Sequence, residues 1–169
     1  MEIKTSINVQ ISREEANKRV DFAVELFKQG YNCSQSVVTA FADLYGFTKE
    51  QALRMSASFG AGIGRMRLTC GAACGMFMLA GLDCGAIEGD DREGKSHNYA
   101  VVQQLAEKFK QLNGRCNSIV CAELLGISVP EQSSVANART QEYYKKRPCT
   151  EMVRTAARIF ADYLLENKK

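Results

Sequence analysis

Apolar residues recur at helical spacing along most of the chain, and capping residues and glycines divide the pattern into segments. Over residues 13–29, Ala16, Val20, Ala23, Val24 and Phe27 share a face; Ser12 with Glu15 makes a capping-box pattern before them, and Gly30 stops the run. A second helix is expected to open at Asn32 or Cys33, with Val37, Phe41 and Leu44 in its stripe and Gly46 at its end. Thr48 with Gln51 caps a third, which reaches about residue 59. Gly60-Ala61-Gly62-Ile63-Gly64 then breaks the pattern before a fourth apolar helix over about residues 70–82. Residues 85–95, with Glu88, Asp90, Asp91, Arg92 and Glu93, are too polar to pack and read as a solvated loop. Ser96 starts a fifth helix with Val101, Leu105, Ala106 and Phe109 inward and Asn113-Gly114 as its stop. A short sixth covers residues 118–125, closed by Gly126, and the Pro130 region is a connection. Pro148 opens the last helix, in which Met152, Val153, Ala156, Ile159, Phe160, Tyr163 and Leu164 form one broad face.

These segments predict an all-α fold: a single-domain helical bundle of about six to seven helices over residues 12–169, with no internal repeat. Ile7, Val9 and Ile11 alternate with polar residues, so residues 1–11 are expected to form a short extended arm. A chain of 169 residues, 46% hydrophobic, can bury a core without disulfide staples. Its net charge of +3 is spread along the sequence and forms no basic stripe, which argues against nucleic acid as a partner. The N-terminal residues carry no apolar leader, and nowhere do about 18 apolar residues run together. The expectation is a cytoplasmic protein without membrane insertion. The broad face of the last helix and an arm with no evident partner in the chain also suggest a homodimer.

Seven cysteines are a heavy load for such a protein, because a reducing compartment disfavours structural disulfides and an odd number cannot pair completely. Cys33, Cys70, Cys121 and Cys149 all fall on apolar helix stripes, and Cys33, Cys70 and Cys149 lie at or near helix starts. Free N–H groups there favour a thiolate, and Lys145-Lys146-Arg147 ahead of Cys149 adds positive potential. Any one of these cysteines read alone would be inert packing; four on four helices point to chemistry. Gly60, Gly62 and Gly64, followed by Arg65 and Arg67, could cradle an anion, but no strand precedes them and no Gly-Lys-Ser ending follows. A flexible connector that lets backbone approach the cysteines is the favoured role. Gly62, Gly64 and Gly71 are candidate cofactor contacts on this reading, although Gly71, Ala72 and Gly75 equally suit close helix packing. His97, the sole histidine, sits beside a polar loop and reads as exposed, which argues against a histidine-based triad. Arg154 and Arg158 read as solvated surface.

Four stretches together carry a family resemblance: Tyr31-Asn32-Cys33-Ser34-Gln35-Ser36-Val37; Phe59-Gly60-Ala61-Gly62-Ile63-Gly64-Arg65 leading to Cys70-Gly71-Ala72-Ala73-Cys74-Gly75; Cys121-Ala122-Glu123-Leu124-Leu125-Gly126; and Cys149. Over about residues 20–165 the chain resembles the redox-active family with a C, CGAxxG, C, C cysteine pattern. The resemblance implies that the four defining cysteines are Cys33, Cys70, Cys121 and Cys149, with Cys74, Cys84 and Cys116 outside the pattern. The chain is also similar to a domain of split-Soret cytochromes, where such cysteines accompany an iron–sulfur centre beside covalent haem. No Cys-x-x-Cys-His occurs here, so covalent haem is not expected.

Three functions follow. The four cysteines could be catalytic thiols of a dithiol/disulfide or electron-transfer protein, with an unidentified redox partner or small molecule. They could instead ligate an iron–sulfur cluster or zinc, with single ligands from distant helices. Or the bundle could be a binding or oligomerisation module with passive thiols.

Overall fold

In a computed structural model, the structure describes residues 7, 9–128 and 133–167. Among them eight α-helices follow one another: α1 (Arg13–Lys28), α2 (Cys33–Thr39), α3 (Lys49–Ser56), α4 (Gly71–Cys84), α5 (Arg92–Leu112), α6 (Cys121–Leu125), α7 (Gln141–Lys146) and α8 (Cys149–Glu166). Two 3-10 turns, Ala42–Tyr45 and Ala57–Phe59, continue α2 and α3. The described residues form no strand, only an isolated antiparallel bridge between Thr69 and Val120. The architecture is the expected all-α bundle.

Local chemistry sets the ends of these helices. Ser12 accepts from the Glu15 N–H at 3.0 Å, and Asn32–Gln35 and Thr48–Gln51 form reciprocal capping boxes. Gly46 and Gly126 close their segments in the left-handed conformation. The second predicted helix is shorter than its apolar stripe, because the chain tightens to a 3-10 turn before Leu44. α5 begins at Arg92, not Ser96: Asp91 caps it by accepting from the Gly94 N–H at 2.8 Å. The acidic segment read as loop is therefore partly the solvated first turn of a helix, where acidic side chains suit the dipole. α6 starts at Cys121 instead of 118, and α7 was not expected at all. The Pro130 connection lies outside the described residues.

α4 and α8 form the centre. Ten of the 14 residues of α4 are buried, as expected for a helix apolar on every side. α8 packs against α1, α2, α4 and α5, with Phe160 fully buried and edge-on to Phe41 at 5.2 Å. Buried Asp83 near the end of α4 accepts from Tyr45 at 3.0 Å and Tyr163 at 2.8 Å, tying the turn after α2 to α8. The described part of the arm docks on the same chain: the Ile7 N–H donates to the Asp83 carbonyl at 2.9 Å, Val9 packs against the core, and Ile11 is buried. Of the surfaces invoked for a homodimer, the broad face of α8 and the arm's Val9 and Ile11 are thus covered within the chain, while Ile7 stays exposed. Among the described residues no helix is long and apolar enough to cross a membrane.

Candidate functional site

The four defining cysteines each head a different helix. Cys33, Cys121 and Cys149 are the first residues of α2, α6 and α8, and Cys70 holds the cap position before α4. Cys33, Cys70 and Cys121 are buried and Cys149 is half-buried. All four line one cavity of about 50 Å³, together with Arg67, Arg139, Tyr143 and Met152. Separations of more than a hundred residues in sequence are closed because α8 lies against both α2 and α4.

Backbone pairing fixes two of these cysteines relative to each other. The Cys70 N–H donates to the Ile119 carbonyl at 2.7 Å and the Cys121 N–H to the Leu68 carbonyl at 2.5 Å, bracketing the Thr69–Val120 bridge. The glycine-rich approach to this bridge is a left-handed turn and not a loose connector. Positive φ runs unbroken through Ala61 (56°), Gly62 (74°), Ile63 (64°), Gly64 (57°) and Arg65 (67°), and returns at Arg67 (60°). Non-glycine residues in this region cost of order 1–3 kcal/mol each, and such strain gathers where a site needs an unusual placement. Arg65 anchors the turn by donating to the Ser133 carbonyl at 2.7 Å and Asn137 Oδ1 at 2.8 Å.

Two of the three glycines singled out in the sequence touch this site. A β-carbon on Gly62 would stand 2.6 Å from Cys121 Cβ, and one on Gly71 would collide with Cys33 Sγ. Both allow close approach of backbone to a cysteine. Gly64 meets nothing closer than the Ser58 carbonyl oxygen at 4.0 Å and faces no cysteine.

The electrostatics differ from the sequence-based expectation. Burial pushes the Cys70 and Cys121 thiols up, and Cys149 up to about 12. The nearby Cys33 raises all three further, since two adjacent thiolates repel. Arg67 opposes the rise at Cys121, as do Arg147 and Arg139 at Cys149, without reversing it. An activated Cys149 was expected from its helix start and Lys145-Lys146-Arg147; desolvation outweighs both. Of the three basic residues Arg147 acts on the thiol, while Lys146 pairs at the surface with Glu142 at 2.7 Å.

The remaining cysteines separate clearly. Cys74, one turn beyond Cys70, is buried with its sulfur 3.7 Å from the Thr69 carbonyl oxygen, and burial with Cys33 nearby raises it to about 11. It lies near Cys33 and Cys121 without lining the cavity. Cys84 is enclosed beside Asn98, whose side-chain amide donates to its sulfur at 3.4 Å, and Cys116 is exposed. All seven are free thiols. Among the described residues no three cysteine, histidine or carboxylate side chains are grouped as a metal site. His97 is half-buried on α5 and lines no part of the cavity.

Arg139 and Tyr143 entered the site unannounced. Arg139 stacks over the Phe27 ring at 4.5 Å and the Tyr143 ring at 4.8 Å and donates to the Tyr31 carbonyl at 3.2 Å. No spacing in the sequence marks it. Arg67 had a signal, its place between a glycine run and Cys70, but only its left-handed backbone reveals the direction it takes.

Fold and site together define a class: an all-helical protein whose helix starts deliver four cysteine thiols to one cavity lined by two arginines. A comparison with protein families matches residues 31–163 to the family described as "Putative redox-active protein (C_GCAxxG_C_C)", and the chain belongs to that family. Where the description writes GCAxxG, this chain has Cys70-Gly71-Ala72-Ala73-Cys74-Gly75, cysteine before glycine. No curated protein and no solved structure matches the chain.

Proposed function

We propose that the protein is a dithiol/disulfide redox protein in which Cys33 and Cys70 form the reversible pair, with Cys121 and Cys149 flanking it. The observation that carries this reading is the convergence of four helix-starting cysteines on one cavity. Cys33 is the common neighbour, since its proximity raises Cys70, Cys74, Cys121 and Cys149 alike, and it acts on Cys70 more strongly than Cys121 does. Its sulfur also lies against Gly71, the residue after Cys70.

In the oxidising direction the two thiols give up two protons and two electrons as the Cys33–Cys70 S–S bond forms. A disulfide acceptor takes both, its own S–S bond breaking to two thiols. Burial suits this couple, because protonated thiols and a disulfide are both neutral and neither strands a charge in the interior.

Anaerobically reduced protein exposed to a limiting low-molecular-weight disulfide should lose two hydrogens in intact mass, and peptide mapping should join Cys33 to Cys70. Cys33→Ser should abolish the link and Cys116→Ser leave it intact. A link confined to Cys84 or Cys116 would reject the proposal. Iron or zinc in anaerobic protein, with all four site thiols protected from alkylation, would replace the couple with a metal site.

A further inference from the structure

Arg67 is 4% exposed, and among the described residues its guanidinium makes a single polar contact, Nη1 to Cys121 Sγ at 3.9 Å. Its Nε and Nη2 are buried with no hydrogen-bond partner. These two N–H groups form the side-on fork with which arginine grips an oxyanion through parallel hydrogen bonds. An arginine cannot shed its proton to escape burial, and a buried charge left unpaired is among the costliest arrangements in a protein. The backbone is strained to place it, with φ of +60° at Arg67 itself and its carbonyl held by the Ala122 N–H at 3.1 Å.

Nothing lining the cavity neutralises this charge. The lining includes no carboxylate, and Arg139 adds a second guanidinium. Cys121, the one side chain in polar contact with the Arg67 guanidinium among the described residues, is kept a thiol at neutral pH by burial. The starts of α4 and α8 also open on the cavity, and neither is capped by a side chain. A volume of about 50 Å³ admits a group the size of a few water molecules, each needing roughly 10–15 Å³.

We infer that the cysteine cavity binds a small inorganic oxyanion, of the size and charge of sulfate or phosphate, on the Nε/Nη2 fork of Arg67. The anion supplies the missing counter-charge and sits beside Cys121. This binding shares the cavity with the dithiol couple and does not require it.

The test uses the full-length reduced protein. Sulfate should raise the midpoint of thermal unfolding above that in sodium chloride of equal ionic strength, and phosphate should do the same. Arg67→Met should abolish the difference, with sulfate affinity falling roughly ten- to hundredfold, the equivalent of losing a charged hydrogen bond. A Cys33→Ser, Cys70→Ser double variant should keep the sulfate response, so failure of the disulfide reading and failure of this one are distinguishable. Should Arg67→Met not fold, wild-type crystals grown in selenate decide the matter: an anomalous selenium peak within hydrogen-bond distance of Arg67 Nε and Nη2 is expected. No peak, a sulfate response equal to that of chloride, or a response that persists in Arg67→Met would each overturn the inference. So would an iron–sulfur centre occupying the cavity of anaerobic protein.

Discussion

At Cys149 opposing influences meet. The start of α8, Arg147 and Arg139 favour the thiolate, whereas burial together with Cys33 and Cys121 favours the thiol and holds it up at about 12. At pH 7 the thiolate fraction is then on the order of 10⁻⁵, and alkylation needs thiolate. A limiting dose of iodoacetamide followed by mass spectrometry should therefore mark exposed Cys116 long before Cys149. Labelling of Cys149 should rise about tenfold per pH unit through pH 9. Comparable rates for the two at pH 7 would contradict the burial argument. Cys70 makes a related case: a thiol raised well above the usual range stays protonated when ordinary thiols ionise. The midpoint potential of the Cys33–Cys70 couple should fall by about 59 mV per pH unit between pH 6 and 8, two protons accompanying two electrons. Because a proton remains on Cys70, a slope of at least about 30 mV per pH unit, one proton for two electrons, should persist at pH 9–10 in a glutathione redox titration; a flat line there would show both thiols already ionised.

Two glycines within one helix show how differently the same residue is used at the scale of an element. Gly71 opens α4 against Cys33 Sγ and the Phe59 carbonyl, so Gly71→Ala must push one of them aside, at about 1–3 kcal/mol. Gly81 has nothing within 4 Å of its missing β-carbon, and Gly81→Ala should stabilise the helix by roughly 0.5–1 kcal/mol. Urea unfolding of both variants checks the contrast, which fails if the two shift stability the same way. α4 itself was legible from its apolar run, as were α1, α3 and α8 from caps and periodic stripes. Elements without an apolar period were not. α7 is six residues long with none of them buried, and the first turn of α5 carries its polar face to water. Legibility of the site divides along the same line. The four cysteines could be picked out by type and position, because helix starts are written in local sequence. Their ionisation could not, since desolvation depends on what covers a thiol after folding, and neither could Arg139, whose partners Phe27 and Tyr31 lie more than a hundred residues away.

For the molecule as a whole, α8 is the element on which everything converges. It packs against α1, α2, α4 and α5, and it carries both Phe160 and the last cavity cysteine. Phe160→Ala should cost about 3–5 kcal/mol, enough to consume much of the stability of a domain this size. Chemical denaturation should report that loss, and a change below about 1 kcal/mol would show that the core does not depend on this contact. The position of α8 late in the chain has a further consequence for biogenesis. α1 is made first but finds its main partner only when α8 emerges, so the core closes by a contact of very high sequence separation, which slows folding. Until then the other cavity cysteines lack the cover that Pro148, Cys149 and Met152 give them, and burial protects them less. The nascent chain is thus the form most open to mispaired disulfides, and the docking of α8 completes the enclosure of the site.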